Sequence, residues 1–176
     1  MNMPNNNPKS LPSPYNLSLH NGFYVFNTDN DVTYTCGFRD VTSTLSPVIG
    51  VYEVKVFDFE FFPHDPKPEV RKPIDDRVSA TVIDLMKGFF VDPLRVLIYA
   101  CDAADGRARE RQLLFKQWHR NIQDTINRDE IEVEIEELDA KAYGCVLTRK
   151  DFPHMDVLQS ELIDKAKDIV LEKFNP

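Results

Sequence analysis

The chain has 176 residues, 42% of them hydrophobic and 28% charged, which is enough for one domain with a proper core and too few for two ordinary ones. A formal net charge of -8 argues against a protein whose main business is coating phosphate backbones or anionic membrane. The 12 Phe, 6 Tyr and single Trp, set against only 6 Gly, exclude a disordered acidic tail or a low-complexity chain.

Residues 1–14 are rich in proline and asparagine and poor in apolar side chains, so they are expected to be a flexible lead-in to a single domain over 15–176. Two short β-prone runs then flank Asn21-Gly22, a pair whose tolerance of positive φ suits the type I′ turn of a hairpin. A turn at Asp29-Asn30-Asp31 leads to a third strand, in which Val32, Tyr34, Cys36 and Phe38 alternate toward the core. Residues 42–50 read as a loop. A long strand follows over 51–62, with Val54 and Val56 on one parity and Phe57, Phe59 and Phe61 on the other. Either a bulge near Val56 or cover on both faces would reconcile that change of phase.

Four prolines among residues 63–73 forbid regular structure, and a helix is predicted from Pro73, carried by Ile74, Val78, Val82, Leu85 and Phe89 and ended by Gly88 and Pro93. Asp75 and Asp76 suit its first turn. The run Arg95–Cys101 is too short and too uniformly apolar for an amphipathic helix and fits a central strand buried on both faces. A second helix extends to about Ile122, with Leu114, Phe115, Trp118 and Ile122 as its packed stripe. The strand at 130–137 alternates, with Ile131, Val133 and Ile135 inward and Glu130, Glu132, Glu134 and Glu136 outward. A turn at 139–141 returns the next strand as an antiparallel partner. A last helix runs from a cap at Asp156 through Phe174, with Leu162, Ala166, Ile169 and Val170 on its apolar face. The order ββββαβαββα implies an α+β fold with a largely antiparallel sheet of about seven strands and three helices, mostly on one side.

No apolar run approaches the roughly 20 residues of a membrane span, and the first residues lack the pattern of a secretory signal. Cys36, Cys101 and Cys145 are odd in number, far apart and set in strand-like runs, so they read as buried thiols rather than a disulfide framework. With four scattered histidines they form no zinc pattern. A cytoplasmic address follows, with no cofactor or metal expected.

Chemistry is most readily placed where the Arg95–Cys101 strand feeds the second helix. Asp102 and Asp105 there could hold a hard cation such as magnesium, and Arg107, Arg109 and Arg111 a phosphate. The plainer account is that Asp102 or Asp105 caps the helix, Gly106 relaxes the turn and the arginines form a solvated face; capping aspartates are commonplace, which favours it. Residues 102–120 hold five Lys or Arg against three Asp or Glu, with Arg109, Lys116 and Arg120 close to one side. Such a face suits an acidic partner or nucleic acid, or simply solvent. Residues 124–139 hold eight Asp or Glu against one Arg, nearly the whole excess charge of the chain. A basic partner, cations of a neighbouring element such as the preceding helix, or a divalent ion would compensate it; an edge strand protected by its charges is the alternative. Signatures of α/β-hydrolases, P-loop and dinucleotide-binding proteins and zinc proteases are absent.

Two segments carry a resemblance. Tyr15 to Tyr34, with its Y-x-F-x-T-D core, and Ile98 to Trp118, with C-D-x-x-D-G-R-x-x-x-R-x-x-L-F-x-x-W, are similar to a small, functionally uncharacterised bacterial protein family. The resemblance implies a bacterial cytoplasmic origin and marks Asp102, Asp105, Gly106, Arg107, Arg111, Phe115 and Trp118 as motif positions, without making them catalytic. The expected function is a non-enzymatic interaction or regulatory module that uses the acidic strand, the basic helix or both. A protein partner is expected and self-association is open; membrane and nucleic acid are not expected. The alternatives are a metal-assisted phosphate or phosphodiester hydrolase at Asp102, Asp105 and Arg107, and a nucleic-acid-binding protein that uses Arg109, Lys116 and Arg120.

Overall fold

A computed structural model describes residues 11–44, 50–64, 75–101, 106–135 and 140–173. Strands β1 (Ser18–His20), β2 (Phe23–Asn27), β3 (Thr33–Asp40) and β4 (Lys55–His64) precede helix α1 (Asp76–Phe89). Then come β5 (Arg95–Cys101), α2 (Ala108–His119), β6 (Ile126–Ile135), β7 (Ala140–Arg149) and α3 (Met155–Glu172). This is the expected order, ββββαβαββα, in one α+β domain.

The seven strands form one sheet in the order β1-β2-β3-β4-β5-β7-β6. Every neighbouring pair is antiparallel except β4 and β5, which the chain joins through α1. The β1–β2 turn takes φ of 50° at Asn21 and 85° at Gly22, the left-handed pair that a type I′ hairpin needs. Tyr15 ties the chain ahead of β1 to α1: its backbone N–H donates to Thr81 Oγ1 at 2.8 Å and its hydroxyl to Asp75 Oδ2 at 2.7 Å.

β5 is central and buried on both faces. Leu97 and Tyr99 join the core beneath α1 and α2, with Phe26, Cys36, Phe59, Cys145 and Leu147. Val96 and Ile98 join a second core beneath α3, with Ile131, Val146, Leu158 and Leu162. Two helices thus share one face and the third covers the other. β4 runs Lys55–His64 instead of the expected 51–62, and the change of phase resolves as cover on both faces: Val54, just ahead of the strand, and Val56 enter the α3 core, while Phe57, Phe59 and Phe61 pack on the other. Asp58, two residues beyond Val56, is fully buried and receives Arg39 at 2.7 Å and Lys173 at 3.1 Å, pinning the end of α3 to the sheet.

Two helix starts differ from expectation. α1 begins at Asp76, because Asp75 serves as N-cap and accepts from the Arg77 N–H at 2.9 Å; Pro73 and Ile74 lie outside the described residues. α3 begins at Met155, one residue before the expected cap, with His154 at the cap position and Asp156 in the first turn, where its charge suits the helix dipole. Its end at Glu172 precedes the expected Phe174, which is outside the described residues. No described helix is long and apolar enough to cross a membrane. All three thiols are buried and unpaired, and burial pushes Cys101 up to about 11 and Cys36 and Cys145 to about 12.

Candidate functional site

β6 is an edge strand. It pairs with β7 over its whole length and ends the sheet order, so among the described residues no strand lies against the backbone donors and acceptors of its other side. Ile131 and Ile135 are buried and Val133 half-buried on the α3 side, as the alternation requires. Glu130, Glu132 and Glu134 share the opposite face, and Glu136 lies outside the described residues.

The protein's own cations reach this acidic row. Lys116 of α2 pairs with Glu130 at 2.9 Å, and Arg128, two residues before Glu130 on the strand, also binds it. The hydrogen bond from Lys116, helped by Arg128, holds the Glu130 carboxyl below the usual carboxylate range against the opposing pull of burial. Lys141 of β7 is shared between Glu132 at 2.5 Å and Glu134 at 3.6 Å. The basic helix is thus one source of compensation, as its sequence suggested. Among the described residues Glu132 and Glu134 still share a single lysine, and their side chains remain 46% and 76% exposed.

Gln112 was not singled out in the sequence, yet it is buried at the junction of α2 and β6. It receives Arg109 and donates weakly to Glu130 at 3.5 Å. Arg109 stands over the Tyr143 ring at 5.3 Å. The Arg128 side chain, only 5% exposed, donates to the Tyr99 hydroxyl at 2.9 Å. Of the proposed basic face, Arg109 and Lys116 are therefore engaged with their own domain, and Arg120 is exposed.

At the loop before α2, Gly106 takes φ of 72°, which delays the helix so that the cap position falls on Arg107, with no side-chain cap bond. Arg107 pairs with Glu110 at 2.8 Å, and Arg111 is half-buried. Asp102 and Asp105 lie outside the described residues. No group of three or more His, Cys, Asp or Glu among the described residues is placed to hold a metal.

The structure adds a feature that local spacing did not reveal: a half-open pocket of about 190 Å³ beside the start of α1, lined by Tyr34, Phe61, Asp75, Ser79, Leu114 and Trp118 among others. Tyr34 stacks between Phe26 and Phe61 at ring separations of 5.4 and 5.1 Å. The Trp118 indole N–H donates to Ser79 Oγ at 2.7 Å, fixing α2 to α1 at the pocket wall. Burial, and then the charge of Asp75, raise the Tyr34 phenol above its ordinary value and keep it protonated. The two segments singled out for their resemblance meet here, through Thr28 and Tyr34 of the first and Leu114 and Trp118 of the second.

Among known protein families, one of unknown function, DUF6169, matches residues 74–163, just over half of the chain. No curated protein and no solved structure matches.

Proposed function

Because this chain belongs to that family, membership carries no activity with it, and we propose from its surface that the protein is a non-enzymatic interaction module. It binds a basic, extended segment of another protein by adding it as a strand beside β6. The observation that carries this reading is a ten-residue edge strand whose outward glutamates are only partly neutralised.

Strand addition draws its affinity from main-chain hydrogen bonds and its selectivity from alternate side chains. Glu132 and Glu134 stand about 7 Å apart on one face, the spacing of lysines at every second position of a partner strand. Such a partner would supply the positive charge that Lys141 alone cannot. A second copy of this chain added in the same way would instead set glutamate against glutamate, which disfavours self-association through this edge. We place the module in the cytoplasm, a reading that the unpaired buried thiols support.

Charges on an edge also serve simply to block aggregation, and that role requires no partner. Titration with a fluorescently labelled ten-residue peptide alternating lysine with valine or threonine separates the two. Saturable binding that weakens with salt, and is lost in the Glu132→Lys/Glu134→Lys variant at unchanged thermal stability, is the expected result. No saturation at millimolar peptide, or equal binding by the charge-reversed variant, would leave edge protection as the sole role of the row.

A further inference from the structure

We propose that the pocket between β3, β4, α1 and α2 is a binding site for a small primary amine, held by Asp75 and seated against Tyr34, Phe61 and Trp118. This site is independent of the β6 edge.

The charge of Asp75 sets the chemistry of this pocket. Its carboxylate accepts from two neutral donors, the Arg77 backbone N–H at 2.9 Å and the Tyr15 hydroxyl at 2.7 Å. No cation among the described residues pairs with it. The nearest guanidinium on its own helix, that of Arg77, is directed elsewhere: it pairs with Asp29 at 2.9 Å, donates to the Ser13 carbonyl at 3.1 Å and lies 3.9 Å over the Tyr15 ring. The end of α1 offsets about half a charge, so among the described residues the carboxylate leaves the pocket wall negative. An anion is repelled by that wall and an ammonium is attracted.

The remaining lining gives the ligand its shape. Three aromatic rings and Leu114 and Val78 supply apolar surface, and aromatic rings favour a nearby cation over a neutral group of the same size. The Tyr34 hydroxyl makes no hydrogen bond to another described residue, and with its phenol kept protonated it offers a neutral donor or acceptor. An ammonium has three N–H donors, which the second lone pairs of the carboxylate and this hydroxyl can receive. A dry cavity of about 150 Å³ holds a six-membered ring. At about 190 Å³ the pocket therefore has room for an amine with a body of roughly that size.

Trp118 is the only tryptophan in the chain and lines the pocket, so its fluorescence reports occupancy directly. The experiment titrates the full-length protein with cyclohexylamine, cyclohexanol and cyclohexanecarboxylate, three ligands of one shape that differ in charge. Cyclohexylamine is expected to give a saturable change that the other two do not reproduce at the same concentration. Asp75→Asn keeps a good N-cap residue and an acceptor for Tyr15 while removing the charge. It should weaken the amine by about tenfold or more, the loss of a charge-assisted hydrogen bond. Tyr34→Phe keeps the ring stack and should weaken it less. Thermal melting of both variants checks that the fold is kept. Equal binding of the carboxylate, unchanged amine affinity in a folded Asp75→Asn protein, or no saturable response to the amine up to about 10 mM would overturn the proposal.

Discussion

Gly144 offers the sharpest test of how α3 sits on the sheet. It lies in β7 between Ala100 of β5 and Ile131 of β6. A methyl group added there would stand 2.4 Å from Val170 Cγ2 and 2.9 Å from the Tyr99 carbonyl oxygen, where ordinary contacts begin near 3.4 Å. Val170 is fully buried and the Tyr99 carbonyl belongs to the sheet backbone, so neither yields without moving a helix or a strand. Gly144→Ala is therefore expected to cost about 1 to 3 kcal/mol, the usual range for overpacking. For a domain of this length that lowers the melting temperature by roughly 2 to 12 °C. Val170→Ala alone removes two buried methyl groups and costs about 1.6 kcal/mol before any cavity term. In the double variant the new methyl enters the space vacated by Val170, so the combined loss should be clearly smaller than the sum of the two. The contact with Tyr99 persists, so it should not vanish. Thermal and urea melts of the four proteins give the coupling. A neutral or stabilising Gly144→Ala, or strictly additive losses, would refute the packing of α3 against β7 described above.

Other consequences follow from the same geometry. Native protein should show no thiol reactive toward Ellman's reagent at pH 8 and the unfolded chain three, since Cys36, Cys101 and Cys145 are buried and titrate near 11 to 12; rapid reaction of even one would contradict its burial. Burial holds the His119 pKa below its ordinary value while Nε2, as donor in the neutral ring, bonds the Ile126 carbonyl at 2.8 Å. The unfolded chain then takes up this proton first. His119 should contribute no pH dependence above its unfolded value of about 6.5, and should destabilise the fold as the pH falls through that value toward the lower folded one. Urea melts between pH 7.5 and 5 should show the loss in the wild type and a smaller one in His119→Gln; identical slopes would remove His119 as its source. Asp58→Ala leaves Arg39 and Lys173 without their shared buried acceptor, and should cost about 1 to 3 kcal/mol, moderated because both cations can reach water. A loss below about 0.5 kcal/mol in urea melts would show that this link does not anchor α3.

Much of the architecture was legible because it rests on local rules. Asn21-Gly22 dictates a hairpin, the apolar run of Arg95–Cys101 demands cover on both faces, and the strict alternation of Ile131, Val133 and Ile135 with glutamates fixes which side of β6 meets the core. The β6–α2 ion pair was foreseeable as charge complementarity between neighbours in sequence, although Gln112, a polar residue buried beneath it, gave no signal of its own. The face taken by α3 was not legible, since an apolar stripe says that a helix packs and not on which side of the sheet. Asp58 was hidden within a run of β-branched and aromatic residues, and its partners are 19 and 115 positions away. The pocket was hidden for the same reason: Tyr34, Phe61, Asp75 and Trp118 come from separate elements and converge only once the sheet has formed. At the loop–helix site, the positive φ of Gly106 moved the cap position to Arg107, a shift that aspartate capping preferences alone could not anticipate.

The central claim is that β6 is an open edge for a basic strand, and amide hydrogen exchange tests it most directly. Exchange measured residue by residue in the presence and absence of the lysine-alternating peptide should show slower exchange at alternate amides of Ile126–Ile135, those directed away from β7, with β1 at the opposite edge unchanged. Protection confined to β1 or α2, or no change along β6 at saturating peptide, would contradict strand addition at this edge.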